Sequence, residues 1–298
     1  KNRPMKDRLT ALLNNWQMDV SVARVSELSI RIIYLVLLWS LVKSLNVASI
    51  VWGPDSLTLL YSPYTNFDRF AMILNVPEVR EYYWMFLYPA IGILFAGLFG
   101  FHHYLSRLIL WYLFLVLQFG NVETSTGGHH LMQQLLFFQI FLFKSNELEK
   151  WPSFRNLVHN LSFYSLWVQL AMLYLASGLF KLLGTYWLDG YAFLLSLSFK
   201  EFGMPMIADS LSENNWFFAS LNYTVLVYQL LFAALIWIRP IRKPFLLIGL
   251  LFHLSIAFIV GLMDFGLFMV AAYSVFIQKD VADRIMKRIA QAIPFGIG

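Results

Sequence analysis

The chain has 298 residues, of which 59% are hydrophobic, 18% aromatic and 13% charged. Soluble domains carry about 45–50% apolar and about 25% charged residues, and a chain of this length cannot enclose so much apolar surface in a core. The composition therefore excludes a water-soluble globule and predicts a protein embedded in lipid. The absence of cysteine excludes disulfides, thiol nucleophiles and iron–sulfur ligation.

Long apolar runs dominate the chain. A membrane-spanning helix needs roughly 20 mostly apolar residues. The runs are apolar nearly all round, which is typical of spanning helices rather than of barrel strands, and they lie near 23–45, 82–100, 104–121, 129–144, 160–183, 218–238, 244–262 and 264–278. The sequence thus predicts an all-α integral membrane protein with a bundle of about eight transmembrane helices.

The basic residues predict the orientation of this bundle. Most of the 22 Lys and Arg residues fall in segments on the same side as both termini, which the positive-inside rule makes cytoplasmic. The charge of +5 is therefore a membrane signal and does not indicate a nucleic-acid partner. Residues 1–22 are predicted to form an amphipathic interfacial segment, residues 23–278 the transmembrane domain, and residues 279–298 a basic amphipathic tail.

Two long segments, residues 46–81 and 184–217, are predicted to be outer loops that cover the mouth of the bundle. Loops of this length in a compact protein are usually functional. The second contains an apolar stretch at 191–199 that is too short to cross a membrane. It is predicted to form a re-entrant or interfacial helix.

Three charged residues of the first run, Arg24, Glu27 and Arg31, fall three and four positions apart and share one helix face. A basic side chain at the centre of a bilayer costs at least about 2.5–3.5 kcal/mol, so such positions are candidate sites. The spacing fits an anion or headgroup site. It fits equally a self-neutralised cluster in which Glu27 pairs with Arg31.

Lys181 ends the fifth run, about one turn from the predicted outer surface. Tyr174 and Ser177 precede it by seven and four residues, so the three share a face, and Gly178 permits the close approach of another helix. An amine in a low-dielectric environment is destabilised in its charged form, and a neutral lysine can act as a general base. The alternative is a lysine whose amine reaches outward to the lipid headgroups.

Histidines supply the other candidate sites. His253 lies in the middle of the seventh run and is either a catalytic group or a helix–helix hydrogen bonder. His129 and His130 open the fourth run, and Gln133 follows His129 by four residues. Adjacent histidines diverge by about 100° on a helix and no third ligand has a recognisable spacing, so no metal is expected. The remaining histidines are predicted to be interfacial: His102, His103 and His159.

These positions together predict a pocket that opens outward. His129 begins one helix and Lys181 ends another on the predicted outer side, and His253 can approach from about half depth. Flat aromatic walls, to which Trp187 and Tyr191 would contribute, suit a lipophilic ring such as a quinone.

The segments around these residues resemble the HTTM family, the membrane domain shared with vitamin K-dependent γ-glutamyl carboxylase. The most specific similarity is Gly178-Leu179-Phe180-Lys181-Leu182 followed by Trp187-Leu188-Asp189-Gly190-Tyr191. His129 with Gln139, and Phe252-His253 with Gly261, are further similarities in the family's order. The resemblance covers roughly residues 20–278.

This resemblance implies a chemistry. The lysine of the family, matched by Lys181, removes a proton from a reduced vitamin K-type quinone, and the reaction then carboxylates a substrate glutamate. His129 and His253 fall where the family has functional histidines. We expect the catalytic residues to be these three and the cofactor to contact Tyr174, Ser177, Gln133, Trp187 and Tyr191.

The resulting expectation is a multi-pass enzyme of a bacterial inner membrane, because short bacterial members resemble proteins that help mature exported peptides. It would use a quinone-type cofactor to modify an exported polypeptide, with membrane lipid and other membrane subunits as further partners. The alternative is a non-catalytic membrane subunit that binds lipid or quinone and scaffolds partner proteins.

Overall fold

A computed structural model describes residues 21–56, 70–144, 148, 152–199 and 215–292. Every regular element within these residues is helical, which confirms the predicted all-α fold. Most of the predicted segment 1–22, the centres of both outer loops (57–69 and 200–214) and the end of the tail (293–298) lie outside the described residues. The chain forms two compact units, the first from Lys1–Leu166 with Ser274–Gly298 and the second from Trp167–Tyr273.

The α-helices follow one another with short connections. In chain order they are α1 (Ala23–Lys43), α2 (Ala48–Val51), α3 (Pro77–Arg80), α4 (Trp84–Leu98), α5 (Tyr104–Phe119), α6 (Gly127–Gln139), α7 (Pro152–Leu182), α8 (Thr185–Leu188), α9 (Ala192–Ser198), α10 (Asn215–Leu235), α11 (Arg239–Phe258), α12 (Met263–Ala272) and α13 (Lys279–Ala292). Short 3₁₀ turns lie at Leu45–Val47, Ile73–Asn75 and Tyr273–Phe276.

Helices lie at each of the eight predicted runs, but they differ in length. Within the described residues, four segments are long and apolar enough to cross a membrane: Ala23–Val51, Phe154–Leu182, Trp216–Leu235 and Arg239–Phe258. A fifth is possible if Met263–Phe276 and Lys279–Ala292, which are bent by 107°, count as one broken span. The helices at the other predicted runs are shorter, between 10 and 16 residues.

The long helices differ in how much apolar surface they leave uncovered. In the most apolar 18-residue stretch of Ala23–Val51, 67% is buried inside the protein, whereas in that of Arg239–Phe258 (α11) the share is 22%. Leu247, Ile248 and Leu251 form an outward face of α11, and each is more than half exposed. Such a row of large aliphatic side chains has lipid as its natural surrounding, so the fold agrees with the composition.

The first unit is built around α1. Ile30, Ile33, Tyr34 and Leu37 of this helix are all but inaccessible, and α1 packs against α4 and α13. Helix α13 is amphipathic: it buries Ala282 and Met286 and keeps its charged residues outside. The described part of the predicted tail is thus an amphipathic helix.

Arginines enter the interior by donating to carbonyl groups at helix ends. Arg31 donates to Leu98 O at the end of α4, and Arg107 donates to Gln139 O (2.8 Å) and to Leu142 O at the end of α6. In the second unit, Arg242 donates to Ile236 O (2.7 Å) just past the end of α10. The carbonyls at a helix C-terminus lack intrahelical partners and carry partial negative charge, so they can hold a cation without a carboxylate.

Glu27 is compensated by both arginines of its helix face. It forms an ion pair with Arg24 (3.4 Å) and interacts electrostatically with Arg31, whose guanidinium also donates to Leu98 O at the end of α4. This agrees with the predicted self-neutralised cluster. Arg107, which lies in the predicted run 104–121, is buried in the first turn of α5.

Two of the three histidines predicted to be interfacial are buried. His159 is inaccessible, and its Nδ1 accepts a hydrogen bond from the backbone N–H of Phe143 (2.9 Å). His102, in the loop before α5, is 3% exposed. Burial, with Arg107, Lys144 and Arg31 nearby, lowers the pKa of His102 to about 3.

The buried His102 should make the protein less stable in mild acid. The pKa of His102 is about 3 in the folded protein, against an ordinary value of 6.5. Between these two pH values the unfolded chain binds a proton at His102 and the folded chain does not. This stability is complete above pH 6.5 and declines below it, with a loss of about 2 kcal/mol between pH 7 and pH 5. Unfolding of wild type and His102→Phe in detergent at several pH values measures the difference; equal pH dependence in the two would contradict it.

Candidate functional site

Lys181 lies in the last turn of α7, as predicted, and its amine is held by neutral groups. The Nζ atom donates to Ser177 Oγ (2.8 Å) and lies 4.9 Å from the ring centroid of Trp187. Ser177 Oγ in turn donates to Gln229 Oε1 of α10 (3.4 Å). The shared face of Ser177 and Lys181 is therefore confirmed, and the amine is half-buried.

The position of Trp187 is fixed by hydrogen bonds from helix α10. Asn222 Nδ2 donates to Trp187 O (2.7 Å) and Tyr223 OH donates to Leu188 O (2.7 Å), so α10 holds the short helix α8 from both residues. Gly178 faces Leu230 of α10, and a β-carbon there would lie 2.9 Å from the Leu230 side chain. The close approach predicted for Gly178 is confirmed, and it brings Gln229 within reach of Ser177.

No carboxylate among the described residues forms an ion pair with Lys181. Asp189 is the nearest acid in the sequence, and it is exposed. A cation that is compensated only by hydroxyl, amide and ring groups is less stable than one in an ion pair. The site is therefore suited to an amine that gives up its proton and takes one from a ligand.

A second polar cluster surrounds His253 in the same unit. Tyr174 OH lies 2.5 Å from His253 Nε2 and also bonds to Tyr273 OH. Tyr273 OH bonds to Tyr228 OH (3.1 Å), which donates to Phe245 O (3.2 Å). We call these four side chains, His253 with the three tyrosines, the His–Tyr cluster; all of them are buried.

Gly249 of α11 makes room for the cluster. A β-carbon at this position would collide with the hydroxyl groups of both Tyr228 and Tyr273. The aromatic ring of Tyr174 stacks on Phe232 of α10 at a centroid distance of 4.0 Å. The tyrosine hydroxyl groups can therefore contact one another because Gly249 has no side chain at this position, and the stacking of Tyr174 on Phe232 fixes the ring of Tyr174.

His129 and Gln133 belong to the first unit. His129 is the third residue of α6, and its Nδ1 accepts from the backbone N–H of Thr126 (3.1 Å) in a capping box. One helical turn later, both polar atoms of the Gln133 side-chain amide are buried without a hydrogen-bond partner. His130 Nδ1 and Gln118 Nε2 lie 2.7 Å apart. His129 opens α6 as predicted, and it also has a structural task there.

The predicted site residues are thus brought together in part. Lys181, Ser177, Trp187, Tyr174 and His253 share the second unit, with Tyr174 and Lys181 about 10 Å apart along the axis of α7. Tyr191 is 49% exposed. Since His129 and Gln133 lie in the other unit, their meeting with Lys181 stays a prediction. No group of three or more metal-ligating side chains occurs among the described residues.

Sequence analysis missed Gln229, Tyr228 and Tyr273. Charged side chains and histidines stand out inside apolar runs, whereas tyrosine and glutamine side chains do not. A signal was present in the first pair, because Tyr228 and Gln229 interrupt an otherwise apolar stretch of α10. Nothing in the sequence distinguishes Tyr273 from the many other tyrosines.

Comparisons of this chain with protein-family models, curated proteins and solved structures give no match.

Proposed function

We propose that the chain is an integral membrane enzyme of the vitamin K-dependent carboxylase-like (HTTM) family. In this proposal it uses a reduced quinone-type cofactor in an outward-facing pocket to modify an exported polypeptide. The observation that carries the proposal is the amine of Lys181, which is half-buried, bonded to Ser177 and Trp187, and not in an ion pair with any described carboxylate.

The proposed topology has eight spans with both termini cytoplasmic, in a bacterial inner membrane. It is supported by the helices at all eight apolar runs. The shorter ones need help to cross: the 15 residues of α4 reach about 22 Å, against roughly 30 Å of hydrocarbon. Turn residues at their ends and local thinning of the bilayer would make up the difference.

The residues of the second unit fit a hydroquinone. A reduced quinone supplies two weakly acidic hydroxyl groups on a flat ring, which need acceptors and an apolar surrounding. His253 Nδ1 is buried without a hydrogen-bond partner, and the rings of Phe252 and Phe265 lie beside His253. Lys181 would take a hydroxyl proton, with Ser177 orienting the amine. Tyr191 is proposed as a further cofactor contact in this unit, and His129 and Gln133, which belong to the first unit, remain proposed site residues.

The alternative function, a membrane subunit that binds lipid or quinone and scaffolds partners, has one observation in its favour. Large apolar side chains are exposed around the end of α7 and the start of α10: Phe180, Leu183, Tyr186 and Trp216 are each more than 60% exposed. Exposed patches of this kind mark lipid or protein contacts. A substrate polypeptide would need such a surface as well.

One experiment separates these functions. The full chain is purified in mild detergent, its bound lipids and accompanying chains are identified by mass spectrometry, and oxygen-dependent consumption of menadiol is followed in nanodiscs. An enzyme of the proposed kind carries a bound isoprenoid quinone and consumes menadiol faster than empty nanodiscs do. Stable partner chains together with no consumption above that background would favour the scaffold instead.

A further inference from the structure

The hydrogen bonds of the His–Tyr cluster can run in only one direction. A backbone carbonyl accepts and never donates, so the bond between Tyr228 and Phe245 O uses the single hydroxyl proton of Tyr228. Tyr273 must then donate to Tyr228, and Tyr174 must donate to Tyr273. Each hydroxyl has one proton to give, so the whole series is fixed by its last acceptor.

This direction determines the tautomer of His253. The proton of Tyr174 is already given to Tyr273, so Tyr174 OH can only accept from His253 Nε2. Nε2 therefore carries the imidazole proton, and Nδ1 is a bare acceptor. His253 is 2% exposed, and Nδ1 has no hydrogen-bond partner among the residues that the structure describes.

A buried acceptor without a donor is costly, and native proteins retain few of them. The rings around the imidazole are those of Phe252, Phe265, Tyr174 and Tyr273. An apolar surrounding with one outstanding acceptor selects a neutral ligand that donates a hydrogen bond. A hydroxyl group on a flat ring has this chemistry, whereas a carbonyl on the same ring does not.

We propose that Tyr174 is a positioning residue that holds His253 in the Nε2–H tautomer, and that Nδ1 of His253 binds a hydroxyl group of the ligand. The ligand part rests on the proposed function and deepens it, because a reduced quinone carries hydroxyl groups and its oxidised form carries carbonyls. The site thereby selects the reduced form of its cofactor. The hydroxyl groups of Tyr273 and Tyr228 act on the tautomer of His253 through Tyr174.

The tautomer is measured directly by NMR of the full chain in nanodiscs with nitrogen-labelled histidine, the His253 signals being assigned by their loss in His253→Asn. Wild type is expected to show a protonated Nε2 and a bare Nδ1. Tyr174→Phe removes the acceptor and lowers the preference for this tautomer about fivefold, the usual contribution of one neutral hydrogen bond. A bare Nε2 in wild type, or an unchanged ratio in Tyr174→Phe, would overturn the proposal.

Tyr273→Phe gives a sharper test, because a merely structural role would not predict its result. Without Tyr273 OH, the proton of Tyr174 is free to be donated to His253 Nε2. The tautomer should invert, so that Nδ1 carries the proton. Retention of the wild-type tautomer in a folded Tyr273→Phe protein would show that the tyrosines do not direct the imidazole.

Ligand selection is tested with menadiol and menadione under anaerobic conditions. Wild type is expected to bind menadiol about tenfold more tightly than menadione, since menadione would leave the buried acceptor Nδ1 unpaired. Tyr273→Phe should reverse the order. Equal binding of the two forms by wild type would refute the selection. Failure of the proposed enzyme is seen separately, as absence of menadiol consumption while the tautomer results hold.

Discussion

Lys181→Met is expected to lower the oxygen-dependent consumption of menadiol by a hundredfold or more. In the proposed function Lys181 is a positioned general base, and such a base contributes a factor of about 10²–10⁴ in rate. Among the described residues, no other lysine or arginine side chain bonds to Ser177 and could replace it. Methionine keeps the unbranched shape of the side chain and can still lie against Trp187. Stability should change little, because the amine makes no ion pair with a described carboxylate. Activity in nanodiscs and thermal unfolding are measured on the same preparation.

The chain contains a matched control for this substitution. Lys43 lies in the last turn of α1, and its Nζ is 4.7 Å from the ring centroid of Trp39, much as Lys181 lies over Trp187. Lys43→Met removes the same charge from a similar position and should retain near-wild-type activity. Equal loss of activity in both variants, or a loss of stability in Lys181→Met that matches its loss of activity, would identify Lys181 as a structural residue.

Arg107→Met is expected to have the largest effect on stability, lowering the free energy of unfolding by about 3 kcal/mol. The guanidinium group donates to Gln139 O and Leu142 O at the end of α6, and its side chain is 2% exposed. Leu142 O would be left without this donor, and a buried carbonyl without a donor costs about 1–3 kcal/mol; Gln139 O would keep the backbone N–H of Leu142 (3.2 Å). Methionine would also relieve the desolvation of the charge, which is why we expect no more than the upper end of this range. Chemical unfolding in detergent, followed by circular dichroism, measures the change.

Arg155→Met serves as the control, because it removes the same charge from a more accessible arginine that lies over the ring of Phe143. Its cost should stay below about 1 kcal/mol. Arg107→Lys should fall between the two, since the shorter lysine side chain keeps a charged donor but cannot place it where Nη1 of Arg107 meets both carbonyls. If Arg107→Met is no less stable than Arg155→Met, the guanidinium does not hold the end of α6.

The parts of the fold that depend on residues close together in the sequence were predictable. A run of about 20 apolar residues has few solutions in lipid other than a helix, and a helix lies at each run that was predicted. The helical spacing of Ser177 and Lys181 likewise fixed their contact before any tertiary structure was known. The apolar stretch at 191–199 is too short to cross a membrane and was predicted to form a short helix, and α9 lies there.

The rest depends on partners that are distant in sequence. Arg107 and its acceptor Leu142 are 35 positions apart, and Tyr174 and Tyr273 are 99 apart. The sequence shows that a charge or a hydroxyl is present but not which helix end or which ring it will meet. The spacing of Arg31 and Glu27 on one helix could be seen in the sequence, but the further acceptor of Arg31, Leu98 O on another helix, could not.

The carbonyl of Phe245 also limits what the row of tyrosine hydroxyls can conduct. A backbone carbonyl has no proton to donate, and it is too weak a base to accept a proton and transfer it further. A proton that arrives at His253 must therefore depart by the route through which it came. The four side chains of the His–Tyr cluster thus form a closed end and not a conducting path.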